Sequence, residues 1–175
     1  MLGAIPATQD NLKQIATNVA QKYGVDPALV FAHIQVESSW NPQAYRSEPQ
    51  INDASWGLMQ LLLKTARSIS GNSSLTASEL LNPETNIDLG TRYIAQQMKR
   101  YNNNVDDAIA AYNAGSARRK SDGIYINQDY VDKVNKWYKI YKAEGYVTSI
   151  ATAQVAGLPL AAIVAFGAVL GLLLI

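Results

Sequence analysis

A mainly α-helical domain followed by one apolar C-terminal helix is the fold class that this 175-residue sequence predicts. Three observations carry that expectation. Apolar residues recur at helical spacing, in stretches opened by Asp-Pro or Asn-Pro pairs and closed by glycines. Strand-like alternation is absent apart from Ile124-Tyr125-Ile126. Residues 155–175 carry no charged side chain, and a run of about 20 such residues spans the hydrocarbon core of a bilayer as a helix. The chain therefore divides into a helical domain over 1–146, a linker over 147–154 and a transmembrane helix over 155–175.

The elements follow in order. Asp10 is a candidate N-cap for a helix to about Lys22, with Leu12, Ile15, Ala16, Val19 and Tyr23 on one side and Gly24 as its stop. Asp26-Pro27 opens a second helix in cap-then-proline order, and Asn41-Pro42 ends it, because the residue before a proline is pushed out of helical geometry. Residues 43–56 read as a polar loop. A third helix is expected from Leu58 to about Ser70, closed near Gly71. Thr76-Ala77-Ser78-Glu79 has capping-box spacing for a short helix. Asn82-Pro83 opens a longer one to about Tyr101, the three asparagines Asn102, Asn103 and Asn104 make a turn, and Val105–Ala114 is a further helix before Gly115. After a loop over 116–127, a last helix runs from about Gln128 to Glu144 and is capped by Gly145.

Composition excludes several function classes. Fifteen Lys and Arg against 14 Asp and Glu leave a net charge of +1, so no basic face demands a nucleic acid. Lys133, Lys136, Lys139 and Lys142 cluster before the tail, either as a solvated helix face or as contacts to anionic headgroups. With no cysteine, thiol chemistry and disulfides are out. No metal is expected, because the carboxylates and the single His33 show no ligand spacing, and no glycine-rich phosphate loop or other cofactor motif appears. The first residues lack the basic and apolar regions of a secretory signal. Gly167 and Gly171 form a Gly-xxx-Gly pair, which by itself sets no oligomeric state.

Glu37 is the residue on which chemistry turns. It follows Ile34, Val30 and Leu29 by three, seven and eight positions, which puts its carboxylate on their apolar face. Burial disfavours the charged form, and a carboxyl that keeps its proton near neutral pH is what a general acid for glycoside cleavage requires. The alternative is a helix-end glutamate that swings out to water. His33, one turn earlier, reads as a core or boundary histidine or as a contact to Glu37.

Several short motifs occur in one order: Glu37-Ser38, Asn41-Pro42, Gly57-Leu58-Met59-Gln60-Leu61, Thr65-Ala66, Asn86-Ile87, Ala111-Tyr112-Asn113-Ala114-Gly115 and Tyr130-Val131. The set resembles the soluble-type lytic transglycosylases, whose fold is similar to goose-type lysozyme, and the resemblance covers about residues 10–142. It implies a compact lysozyme-like domain that cleaves the bond between N-acetylmuramic acid and N-acetylglucosamine in peptidoglycan, with Glu37 as sole acid/base and a 1,6-anhydro sugar as product. It implies that Met59 and Gln60 line the glycan groove, that Tyr112 and Asn113 approach and orient Glu37, and that Tyr130 closes the other side of the cleft. The loop before Gly57 is longer than the usual family spacing, which leaves both Ser47 and Ser55 as the substrate-binding serine. Leu62-Leu63 stands where the family often has Met-Pro.

Two alternatives remain open at this level. In a lysozyme-like hydrolase, Asp53 in the polar loop would position a water, whereas Asp88 more naturally interacts with the start of its own helix. In a membrane-anchored structural or glycan-binding protein the fold would persist without turnover. The partners expected are peptidoglycan strands and, through residues 155–175, a lipid membrane. Lysines before the tail favour keeping that side in the cytoplasm, away from the wall. That conflict suggests a single-pass protein of a bacteriophage virion that opens the periplasmic wall during entry, with a tail-anchored bacterial enzyme as the other reading.

Overall fold

The computed structural model describes residues 8–155, the last ten by their backbone alone. Six α-helices and a small three-stranded sheet make up this region: α1 (Gln9–Tyr23), α2 (Pro27–Ser38), β1 (Tyr45–Glu48), β2 (Asp53–Trp56), β3 (Leu61–Leu62), α3 (Leu63–Ser70), α4 (Pro83–Arg100), α5 (Val105–Ala114) and α6 (Gln128–Val155). The mainly helical expectation holds. The transmembrane helix assigned to 155–175 lies outside the described residues beyond Val155; among those described, no helix is long and apolar enough to cross a membrane.

Helix starts follow the caps written in the sequence. Asp26 accepts from the Ala28 N–H, Asn82 from Thr85 and Asn104 from Asp107, each satisfying one of the orphan donors of a first turn. For α1 the cap is Thr8 rather than Asp10, which lies within the first turn and complements the helix dipole there. Gly24, Gly71 and Gly115 end their helices in the left-handed region. The capping box at Thr76 forms, with Glu79 accepting from the Thr76 N–H at 2.8 Å, but it opens only a single 3-10 turn, Glu79–Leu81.

Three expectations are corrected. The polar loop over 43–56 is largely an antiparallel hairpin, in which Tyr45 pairs with Trp56, Arg46 with Ser55, Ser47 with Ala54 and Glu48 with Asp53. The third helix starts at Leu63, not Leu58, because Gly57–Gln60 forms a turn and Leu61–Leu62 pairs with β2 as a third strand. Gly145 does not cap α6, whose backbone stays helical to Val155; this glycine is absent from the positive-φ positions at which the other helices stop. Ile124-Tyr125-Ile126 contributes only an isolated bridge, Arg119 to Tyr125.

The core is built around α2. Leu29, Val30, Ala32 and Ile34 are buried against Ile87, Ile94, Ile109, Val131 and Val134 from α4, α5 and α6. α6 lies along α2 and ties to it at several levels. The Tyr138 hydroxyl donates to Asp26 at 2.9 Å, and that of Tyr141 donates to Gln35 at 3.1 Å while accepting from Trp40 Nε1 at 3.1 Å. The exit from α2 needs this grip. Ser39 and Trp40 both have positive φ, 52° and 66°, a conformation costly for residues with a Cβ. Burial of the Trp40 ring against Phe31 and Tyr141 offsets that cost.

Candidate active site

Glu37 stands in the last turn of α2, partly buried, and its Oε1 accepts a hydrogen bond from the Tyr130 hydroxyl at 2.6 Å. Tyr130 belongs to the first turn of α6, so the two longest-range partners in the site meet where those helices adjoin. They open on a cleft of about 390 Å³. Arg46 of β1, Asn113 of α5, Asn127, and Asp129 and Lys133 of α6 line it with them. Burial pushes the Glu37 carboxyl up to about 7, against the opposing effects of the Tyr130 hydrogen bond and the Arg46 charge. The Tyr130 phenol is itself raised well above its usual value, by burial and then by the neighbouring Glu37 charge, and so stays a donor.

The two oxygens of Glu37 differ: Oε1 accepts from Tyr130, whereas Oε2 has no hydrogen-bond partner among the described residues and is free to carry the acid's proton. A carboxyl that is protonated near neutral pH, and whose anion already has a donor in place, can give up a proton and take it back.

His33, one turn before Glu37, is fully enclosed. Its Nδ1 donates to the Leu29 carbonyl at 2.9 Å, and burial pushes its pKa down to about 4, so it is neutral and does not titrate with the acid. Its ring packs edge-on against Tyr112 at 4.7 Å and Tyr130 at 6.4 Å. Among the described residues no group of three or more His, Asp or Glu side chains could hold a metal ion.

Residues 14–139 match the family model described as the Transglycosylase SLT domain. The chain belongs to this family. Among curated relatives, the membrane-bound lytic murein transglycosylase C of Shigella sonnei is 36% identical over 109 residues, covering 55% of this chain but 29% of that protein. The chain thus spans under a third of that relative's length. A solved lytic transglycosylase Slt of Pseudomonas aeruginosa, studied as an inactive mutant, superimposes with a TM-score of 0.62 at 25% identity, over 79% of this chain and 24% of that one. The 70 kDa soluble lytic transglycosylase of Escherichia coli gives 0.61 at 24% identity over the same shares, and shows the fold alone.

Against the SLT motifs, the structure distributes roles unevenly. Tyr112 does approach Glu37, whose charge adds to burial in raising its phenol, but its hydroxyl goes to the Met59 carbonyl at 2.8 Å, and it is Tyr130 that bonds the acid. Asn113 does line the cleft, where its Oδ1 accepts from Asn127 Nδ2 at 2.9 Å. Met59 was expected in the groove, yet its side chain is fully buried against Gly90, where a Cβ would fall 2.3 Å from the Met59 sulfur. Gln60 has positive φ, 46°, and its amide donates to the Gly57 carbonyl at 3.0 Å, closing the turn rather than pointing into the cleft around Glu37. Of the two serines, Ser55 is buried and donates to Glu48 at 3.3 Å, while Ser47 is exposed on β1; neither lines that cleft.

The Gly57-Leu58-Met59-Gln60 motif is held by Asn86. This fully buried amide accepts from the Met59 N–H at 2.7 Å and donates to the Trp56 and Leu80 carbonyls, each at 2.8 Å. A side chain at Gly57 would meet Asn86 Nδ2 and the Leu80 carbonyl at 2.5 Å, so both glycine and asparagine are required at this contact.

The two spare carboxylates are structural. Asp53 caps α3, accepting from the Leu63 and Lys64 N–H groups at 3.3 and 3.1 Å, which removes it as a water-positioning group. Asp88 does not serve its own helix start; it binds Lys22 at 2.6 Å and the Tyr23 hydroxyl, joining α4 to α1. Sequence reasoning missed Arg46, Asn127, Asp129 and Lys133. Position one before and three after the motif tyrosine was a usable signal for Asp129 and Lys133, since these residues share the first turns of the helix that carries it.

Proposed function

We propose that this chain is a peptidoglycan lytic transglycosylase in which Glu37 is the sole acid/base. The observation that carries the reading is the Glu37 carboxyl, raised to about 7 by burial and bonded to Tyr130 in the lining of the cleft. In this reaction Oε2 gives its proton to the glycosidic oxygen between N-acetylmuramic acid and N-acetylglucosamine as the bond to the anomeric carbon breaks. Tyr130 stabilises the carboxylate so formed, and that carboxylate faces the developing oxocarbenium charge. The muramoyl 6-hydroxyl then closes onto the anomeric carbon, and its proton returns to Glu37. No water is consumed, and the product is a 1,6-anhydro sugar. Names of the relatives, which read lytic transglycosylase and murein, support this assignment.

Product mass tests it. Peptidoglycan digests should release anhydro-muropeptides, and Glu37→Gln should abolish their release while leaving the fold intact. Turnover by that variant at the wild-type rate overturns the assignment.

One observation favours a second reading. Asp129 offers another carboxylate in the lining of the same cleft, of the chemistry a base for water needs. Under this hydrolase reading the products are reducing-end muropeptides, one water heavier, and Asp129→Asn removes activity along with Glu37→Gln.

The uncharged run over 155–175 supports membrane anchoring of the domain, as does the word membrane-bound in the name of the Shigella relative. Lysines ahead of that run favour a cytoplasmic flank, whereas the substrate lies across the membrane, and this conflict supports a virion-borne enzyme acting at phage entry. Zymography of detergent extracts from purified particles tests it: a band at the mass of this chain is expected, and activity absent from virions overturns it.

A further inference from the structure

The cleft holds two cations that the proposed acid/base chemistry does not use. Arg46 comes from β1 and Lys133 from the second turn of α6, and both line the cavity that contains Glu37. Arg46 is held from behind. Its Nε donates to Glu48 at 2.6 Å, and Glu48 is fixed in turn by the buried Ser55 hydroxyl at 3.3 Å. Because that bond uses Nε, both terminal guanidinium nitrogens remain without a hydrogen-bond partner among the described residues. Lys133, unlike Arg46, has no ion-pair partner among them, although Asp129 lies one turn earlier on its own helix. The acids that do face the cleft are Glu37, whose carboxyl burial raises to about 7, and Asp129. Glu48 offsets the Arg46 charge from behind, so what the cleft offers an anion is the two free guanidinium nitrogens and the Lys133 ammonium.

We propose that Arg46 and Lys133 form a carboxylate clamp that makes the cleft selective for muramoyl units carrying an acidic substituent. This deepens the transglycosylase reading and rests on it. A bare amino-sugar polymer offers hydroxyls and acetamides but no charge. Muramic acid differs by its lactyl ether, which ends either in a free carboxylate or in a peptide stem that carries its own carboxylates. The shared chemistry is a carboxylate set off from the sugar ring by a short arm, beside the unit whose anomeric carbon faces Glu37. The pre-oriented guanidinium suits a two-pronged carboxylate contact, and the freer lysine ammonium suits a second contact to the same group. The hairpin that carries Arg46 lies between Asn41-Pro42 and Gly57, so one arm of the clamp comes from β1 and the other from α6.

The test compares three substrates: stem-bearing glycan strands, the same strands with their carboxylates converted to amides, and strands stripped of stems so that only the lactyl carboxylate remains. Wild-type kcat/KM should fall roughly tenfold on amidation, the size of one charge-assisted hydrogen bond, with the change mainly in KM. In Arg46→Gln and Lys133→Met the ratio between free and amidated substrates should shrink toward one. Using the ratio cancels any general loss from either substitution. If stripped strands keep the wild-type preference, the lactyl carboxylate is the anchor; if they lose it, the stem is. No discrimination by the wild type, or an unchanged ratio in both variants, overturns the clamp. Calorimetric binding of stem-bearing strands to Glu37→Gln gives a readout independent of turnover. Salt-sensitive binding that weakens on amidation supports the clamp even if the released product proves to be a reducing-end sugar. Binding indifferent to amidation sinks it while leaving the transglycosylase assignment to stand on product mass.

Discussion

The Tyr130 hydroxyl reaches Glu37 Oε1 at 2.6 Å across 93 positions of sequence. That contact works against burial. Desolvation raises the acid's pKa, whereas a hydrogen bond to the carboxylate favours ionisation, and the balance rests at about 7. Removing the hydroxyl shifts the balance one way. Tyr130→Phe should move the alkaline limb of the kcat/KM profile to higher pH, and it should slow turnover by about 10- to 100-fold because the newly formed carboxylate loses its donor. A pH-rate series on both proteins checks this, and a limb that moves down contradicts it.

In the wild type, activity should decline as pH rises through about 7, where the free enzyme's acid loses its proton. Stability carries the same signature. The native state binds more protons at Glu37 than the unfolded chain between its ordinary value of 4.5 and about 7, so this group's contribution is fully present below 4.5 and is lost as pH rises to 7. Glu37→Gln should therefore be more stable than wild type at pH 8, by on the order of 1–3 kcal/mol, and gain nothing at pH 4. Urea titrations at the two pH values measure the difference.

His33 has the opposite sign. Burial lowers its pKa from 6.5 to about 4, so its contribution is present above 6.5 and lost as pH falls to 4. Over most of that window the two groups offset each other in the wild type. In Glu37→Gln the histidine acts alone, and the melting temperature should drop as pH falls from 6.5 to 4. Adding His33→Phe to that variant should flatten the dependence.

Asn86 anchors the Gly57–Gln60 turn through three hydrogen bonds, two of them buried and the one to Trp56 partly so. Asn86→Ala should cost about 3–5 kcal/mol, since it strands one N–H and two carbonyls. Gly57→Ala should be comparably damaging, because its φ of 71° and the 2.5 Å approach of Asn86 and Leu80 leave no room for a Cβ. Chemical denaturation of both variants checks the pair, and wild-type midpoints would refute this account of the motif.

Helix ends were legible because they depend on nearest neighbours: Asp26-Pro27, Asn82-Pro83 and the three left-handed glycines act within one turn. The hairpin was not. Its strands, Tyr-Arg-Ser-Glu and Asp-Ala-Ser-Trp, are four residues each, too short for alternation to stand out from a polar loop, and they pair because the chain returns at Asn52, which takes positive φ. Glu37 was readable from the spacing of Leu29, Val30 and Ile34. Arg46 and Lys133 were not, because their meeting depends on how β1 and α6 are brought to one cleft, which no local pattern encodes. Met59 shows the same gap from the other side: its motif is local, but whether its side chain meets solvent or Gly90 is decided by α4.

Tyr130 and Tyr141 lie eleven residues apart on α6, about three turns, and so on one side of the helix. One holds the carboxyl of Glu37, and the other holds Gln35 and the strained Trp40 on either side of it. Mechanically, the end of α2 that carries the acid is therefore fastened to a single beam at two levels, one at the carboxyl itself and one at the residues flanking it, so the alignment of the proton-carrying group is set by where α6 lies.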